Sequence, residues 1–478
     1  MAQEHADNDM SGTFNGPAVQ VGQVHGDVNI GAQTIGLDYL NAGAIHARLA
    51  KMSVHDCATT LAVLKPEKAA DVLRLTRTAR SVAVIASMDP ESAKAIIVLL
   101  DEDRAAVLRA AVAAARTITT FAAQRNAMVG DASGDLVYQG RSERGAVGFS
   151  IACERATVYW SERTGLGMVK TAIKDLHTTL NGVRGRLGYP IGIERFEISS
   201  SSGFGRSQYF ECTEDYGAEA IKAIGMPYGG AIYTSSKGTF ATWGAIGEHY
   251  EASGGAGGPL GFPLSKETAL RGKDENEVQG LYQEFEGGTL YWSELTAVGW
   301  VRPNIQSVYD KETWFRYGLP LGDQEIAAPS QQGTTGVFQR FQRVEGTKVL
   351  PGALIFSSEK YGAQSLIGPF RTLYLSSGTT AGPYGFPTDS FKKYGDGYFI
   401  QSFEGGMIAL TLGKPPIGVV GKVYEVWHPN RTALGRPCAP ERVIGDGPDV
   451  VQFFDNGIVT VTSGVAEMWL EPQSPTAL

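Results

Sequence analysis

Three glutamates share a register in the C-terminal two thirds of the chain: Glu194, Glu267 and Glu441 each stand four residues after a motif proline, and Glu325 stands five after another. Carboxylates repeated in this way could ring an axis and hold a ligand, or each could cap a turn in its own copy. The capping reading carries more weight. Trp160 and Trp292, both inside "YWS", could stack on sugar rings, although their repeated position favours core packing. The seven histidines are isolated, and His177 and His249 fall in short helical stretches where structural or surface roles outweigh catalysis. Cys57, Cys153, Cys212 and Cys438 are scattered without a CxxC pair, which reads as free thiols in a reducing compartment. No GxSxG elbow, P-loop, HExxH or GxGxxG–acid fingerprint occurs in a convincing setting. "GGAGG" (254–258) reads as loop glycine and not as a phosphate cradle. The expectation is a protein that is not an enzyme, with no catalytic residue, no cofactor and no metal site.

The elements that must position these residues follow from composition. The 478-residue chain carries 60 Gly, 19 Tyr and 20 Phe, which points to turn-rich β structure over much of its length. A formal charge of −8 argues against nucleic acid or anionic membrane as main partner. The start "MAQEHADNDM" has no basic or apolar region of a secretory signal, and runs such as "AIIVLL" (95–100) are too short to span a bilayer. The reading is cytoplasmic, with no membrane and no nucleic acid; envelope association stays open. Two composition shifts divide the chain into a glycine-rich tail (1–35), a helical region (37–130) and a β-rich region (138–478).

The helical region opens its helices with acids and prolines. In "MDPESAKAIIVLL" (88–100), Asp89 is placed to cap, Pro90 to start the helix and Glu91 to meet the dipole. Ala69, Val72 and Leu73, then Ala93, Ile96, Ile97 and Leu100, follow the spacing of a buried face. Openings of the form L-x-P-E-x-A-x-x-L resemble the N domain of MgtE-type magnesium transporters, a helical superhelix. That resemblance implies Mg²⁺-binding acids, for which Asp101, Glu102 and Asp103 are the candidates; helix capping is the favoured reading of the three. No transmembrane part follows in the sequence, so a packing or spacer module is expected.

In the β-rich region five short motifs recur: "LGYP" (187–190), "LGFP" (260–263), "YGLP" (317–320), "YGFP" (384–387) and "LGRP" (434–437). A Tyr- or Trp-bearing strand precedes the first three, with "ALIFSSEK" (353–360) and "MIALTLGK" (407–414) in the same place before the last two, and an aromatic–acid–glycine turn such as "FEGG" (285–288, 403–406) follows most of them. The glycines supply positive φ in tight turns, and proline ends the preceding helix. One such unit cannot bury its own apolar face, but stacked units can. The motif set resembles the LGFP repeat family of actinobacteria. The family implies a five-unit, propeller-like β domain and binding to cell-wall polysaccharide, with Glu194, Glu267, Glu441, Trp160 and Trp292 as the candidate contacts. The expected fold is therefore multidomain, α plus mainly β.

The tail contains "VQVGQVHG" (19–26). Val19 and Val21, then Val24, Gly26, Val28 and Ile30, alternate as two short β arms joined at a glycine corner. Few charges and a glutamine between valines make a stackable cross-β rung. Val19–Gly22 resembles the core of the RIP homotypic interaction motif, and the wider frame resembles bacterial amyloid signalling sequences. Those families imply homotypic templating through Val19, Gln20, Val21, Gly22, Val24, Gly26 and Val28, with this chain itself or another protein carrying the same motif as partner. An unstructured leader and a strand paired within the fold are the alternatives. The functional expectation is an interaction or signalling protein that assembles through its tail and recognises a ligand through its repeats. A cell-wall polysaccharide-binding protein is the alternative.

Overall fold

A computed structural model describes residues 37, 39–211, 230–271, 278–345 and 348–471. The proposed assembly motif, Val19 to Val28, lies outside the described residues, as does Cys212. The chain is α plus mainly β and divides into two compact units: residues 1–194 with 210–213, and residues 195–209 with 214–478.

The first unit begins with six helices: α1 (Ala42–Leu49), α2 (Val54–Ala62), α3 (Pro66–Leu75), α4 (Thr78–Ala86), α5 (Pro90–Ile97) and α6 (Glu102–Gln124). Their starts follow capping chemistry. Asn41, Ser53, Asp89 and Asp101 each accept a backbone N–H three residues on, at 2.9, 3.1, 2.9 and 3.0 Å. Asp101 is thus the cap of α6, and Glu102 pairs with Arg109 on the same helix. Among the described residues no group of three His, Cys, Asp or Glu side chains could hold a metal ion.

Helix α6 is long and apolar enough to cross a bilayer by length and composition alone. Its alanine-rich stripe, including Ala105, Leu108, Ala111, Ala114 and Ile118, is instead buried within the unit. One hydrophobic core runs from Leu37 through α1–α6 to Met168, passing beneath the strands Val147–Ala152 and Thr157–Ser161. The shift in composition near residue 130 therefore has no matching break in the core. Leu108, Ile118, Phe149 and Val158 are all fully buried there, each stabilising the fold by about 1.5–3 kcal/mol before entropic costs.

The repeat is clearest in residues 244–301. A helix (Gly244–Ala252) and a single 3₁₀ turn lead into Leu260-Gly261-Phe262-Pro263. Strands Thr268–Arg271, Val278–Phe285, Gly288–Ser293 and Ala297–Val301 then form an antiparallel sheet in which chain neighbours pair. Gly261 has φ +64° and Pro263 bridges Phe285. The same plan recurs around Gly385 and Gly435, with bridges Pro387–Phe403 and Pro437–Phe454.

The plan also recurs once more than the five motifs. Upstream of them, Gly130 takes φ +76° after the short helix Asn126–Val129, and Ala132 bridges Cys153. Four antiparallel strands follow, Val137–Arg141 to Gly165–Val169. Two backbone bonds seal the turn: Glu154 N–H to Asp131 O at 3.0 Å and Arg155 N–H to Val129 O at 2.9 Å. They correspond to Glu286 N–H to Phe262 O at 3.1 Å and Gly287 N–H to Leu260 O at 2.9 Å. Among the described residues the unit thus occurs six times, and the end of the helical region supplies the helix of the first copy.

Candidate ligand groove

Several polar side chains of the repeat hold the turn. In the complete copies the acid after the strand-ending aromatic reaches back to the motif. Glu286 Oε2 accepts the Phe262 N–H at 2.8 Å, Glu404 Oε2 that of Phe386 at 2.8 Å, and Asp455 Oδ2 that of Arg436 at 3.0 Å. Burial acts to raise the Glu286 pKa, but hydrogen bonds from Ser199, Ser202 and the Phe262 amide outweigh it and hold the carboxylate low. The carbonyl of the motif glycine is met by a buried ring donor from the segment that precedes it. Tyr250, Tyr309 and Tyr374 donate to Gly261, Gly318 and Gly385 at 2.8, 2.9 and 2.7 Å, and Trp427 Nε1 to Gly435 at 2.9 Å. His177 Nε2 takes that place against Gly188 O at 2.9 Å; burial drives its pKa down to about 4, so it is neutral.

From the copy at 244–301 onward, a buried glutamine ties each copy to the one before. Gln283 Nε2 donates to Ala241 O and Ser265 O, both at 2.9 Å, so it bridges the preceding sheet and its own post-motif loop. Gln339 does the same with Trp300 and Gly322, Gln401 with Ser365 and Asp389, and Gln452 with Gly418 and Ala439. The sequence signal was available as Gln-x-Phe, repeated at 208–210, 283–285, 339–341, 401–403 and 452–454, but it was not among the motifs singled out.

The glutamates of the sequence reading are distributed along the repeats. Glu194 Oε1 accepts the Lys170 N–H at 2.9 Å, and Glu267 Oε1 accepts Trp243 Nε1 at 3.0 Å. Both acids thereby reach the residue that starts the preceding helix. Glu441 has a largely exposed side chain whose carboxyl is raised above the usual range by partial burial. Glu325 pairs with Arg340 at 3.2 Å. Trp160 is half-buried and stacks on Phe149 with centroids 6.2 Å apart, and Trp292 is half-buried at the edge of the core around Phe262. His249 Nε2 lies 3.8 Å from Asp323 Oδ1.

Buried titratable groups gather at one other place in the second unit. Tyr209 Oη donates to Glu251 Oε2 at 3.0 Å, Tyr233 Oη donates to Glu251 Oε1, and the two hydroxyls lie 3.2 Å apart. Burial raises the Glu251 pKa to about 7, against the lowering effect of the two phenols. All three residues are buried.

The fourth motif departs from the glutamate register. Four residues after Pro387 stands Phe391. Where Glu194 and Glu267 bond to the start of the preceding helix, Phe391 stacks on Phe370 of the helix Gly368–Ser376, with centroids 5.7 Å apart, and meets Phe399 edge-on at 6.0 Å. A groove of about 330 Å³ opens beside these rings, and Arg316 and Arg343 are also among the residues lining it. Arg316 stands 5.6 Å over the Phe391 ring. Neither arginine pairs with a carboxylate among the described residues. The groove falls at the lower end of ligand-pocket sizes. Sequence reading missed it, although the break in the acid series at Phe391 was visible.

The family model of the LGFP repeat matches residues 260–316. Among solved structures, the chain aligns with the extracellular domain of a one component system at 10% identity, covering 72% of this chain and 50% of that chain, with a TM-score of 0.12. A second alignment, to the extracellular domain of a hybrid two component system, has 8% identity, 68% and 50% coverage and a TM-score of 0.12. Both structures are from B. thetaiotaomicron. The chain spans half the length of those two chains, and likeness at this level assigns no fold. No curated protein matches the chain.

Proposed function

We propose that the protein is a non-enzymatic interaction protein. It assembles through residues 19–28 with copies of itself, or with another protein carrying the same motif, and recognises a ligand through propeller-like LGFP-type repeats. The observation that carries the recognition half is the groove at Phe391. At the same register Glu194 and Glu267 bond to the start of the preceding helix, whereas here Phe391 forms an aromatic wall beside two arginines without carboxylate partners among the described residues. The assembly half rests on the valine–glutamine–valine–glycine pattern. Incubation of the full chain with thioflavin T tests it. Fibril signal that disappears in Gln20→Asp is the expected outcome, and absence of signal in the parent chain sinks it.

A second reading, cell-wall polysaccharide binding, is favoured by the LGFP match at 260–316. Retention of the chain on insoluble cell wall, lost on truncating Trp292, would support it. The half-buried, core-packed setting of Trp292 speaks against a stacking role.

A further inference from the structure

The walls of the groove say more than that something binds. Apart from Arg316 and Arg343, every described residue lining it is apolar or glycine, with Phe370, Phe391, Phe399 and Leu410 forming the rings and floor. Among the described residues no Asp, Asn, Glu, Gln, Ser or Thr side chain lines it, so the arginines are the side chains there that can hydrogen-bond to a hydroxyl-rich ligand. A sugar entering this space would bury hydroxyls without partners, which is costly. An apolar body loses nothing there, and the exposed guanidinium groups can take one anionic head by forked, charge-assisted hydrogen bonds.

We propose that the groove binds a small anionic amphiphile, an apolar chain or ring system bearing a single carboxylate. The apolar part lies against Phe370, Phe391 and Phe399 and the carboxylate meets Arg316 and Arg343. The rings also position the head, because Arg316 over Phe391 is held close to the groove by its cation–π contact. Phe391 determines specificity: a glutamate at this register, as at Glu194 and Glu267, would set a carboxylate in the groove and repel the ligand's own. The proposal rests on the reading of the repeats as a ligand-recognising module.

Isothermal titration calorimetry on the full chain, with decanoate, decanol and trigalacturonate as probes, separates the two levels. Decanoate is expected to bind with one molecule per chain, and decanol more weakly. Arg316→Gln together with Arg343→Gln is expected to weaken decanoate by about tenfold or more while leaving decanol unchanged. Phe391→Glu is expected to abolish decanoate binding. Leu412→Gln, at the exposed rim, supplies a milder loss that does not depend on the core surviving. Decanoate affinity that ignores both arginines overturns the proposal. Binding of trigalacturonate without decanoate overturns the amphiphile and leaves ligand recognition standing. Binding of none of the three overturns both.

Discussion

The first copy of the repeat and the copy at 260–301 make the same turn from dissimilar residues. The later copy has Leu260-Gly261-Phe262-Pro263 closed by Glu286; the earlier has Val129-Gly130-Asp131-Ala132 closed by Glu154. Aromatic and proline are missing from the first, yet the bridge, the two sealing amides and the four-stranded sheet remain. What the turn requires is a residue with positive φ whose missing Cβ leaves room for the acid. A Cβ on Gly261 would stand 2.3 Å from Glu286 Oε2, and one on Gly130 would stand 2.7 Å from Glu154 Cβ and Oε2. Phenylalanine and proline are fillers of the junction, replaced in the first copy by the core beneath α6.

The largest effect that tests this comparison is Gly261→Val. Positive φ and collision with the acid together should cost about 3 kcal/mol or more, read as a drop in the urea midpoint. Gly322→Val is the control, because its φ is +72° and nothing lies within 4 Å of its Cβ position. It should cost only the backbone strain, about 1–2 kcal/mol. Equal losses at both sites would refute the collision argument.

One buried group in each unit, His177 and Glu251, responds to pH with opposite sign. In the first, burial holds His177 at a pKa of about 4, below its ordinary 6.5. The unfolded chain then binds more protons between those values, so this contribution to stability is lost as pH falls through the window. In the second, burial raises Glu251 to about 7 from 4.5, with Tyr209, Tyr233, Tyr250, Glu197 and Arg195 around it. The folded chain binds more protons there, so stability falls as pH rises from about 4.5 to 7. Each shift corresponds to up to about 3 kcal/mol. Hydrogen exchange followed by mass spectrometry should show residues 171–190 opening earlier in acid and residues 230–257 opening earlier at neutral pH. Glu251→Gln should flatten the second trend only. A second trend that persisted unchanged in Glu251→Gln would contradict the assignment.

How legible this was depends on whether the physics is local. The capped helices were readable because Asp89, Asp101 and the prolines act within one turn, and the buried faces of α3 and α5 follow from spacing alone. The motifs flagged the later turns for the same reason, since glycine and proline constrain their own backbone. The first copy was hidden because its required residues are a single glycine and an acid 24 positions on, Gly130 and Glu154, a pattern too sparse to stand out. The groove was hidden because it is defined by a residue that fails to repeat, and the meaning of Phe391 appears only once Glu194 and Glu267 are seen to bond across a junction. Val19 to Val28 lie outside the described residues, so their reading rests on pattern alone.

The smallest effect concerns the junction glutamine, and it sharpens the contrast between the first copy and the rest. Two residues before the strand-ending aromatic, later copies carry a buried glutamine; the first carries Ile151 two residues before Cys153. Gln283 serves carbonyls of two segments, Ala241 and Ser265, and removing it leaves both without that donor in a buried place. Gln283→Leu should therefore cost about 1–3 kcal/mol, seen as a lower melting temperature. Ile151→Gln is the reciprocal change. Ile151 belongs to the apolar core beneath α6, so the new amide would be buried among hydrocarbon and should cost a similar amount. If Ile151→Gln were neutral, the first copy would hold a latent acceptor pair, and its separation from the others would be one of sequence and not of packing.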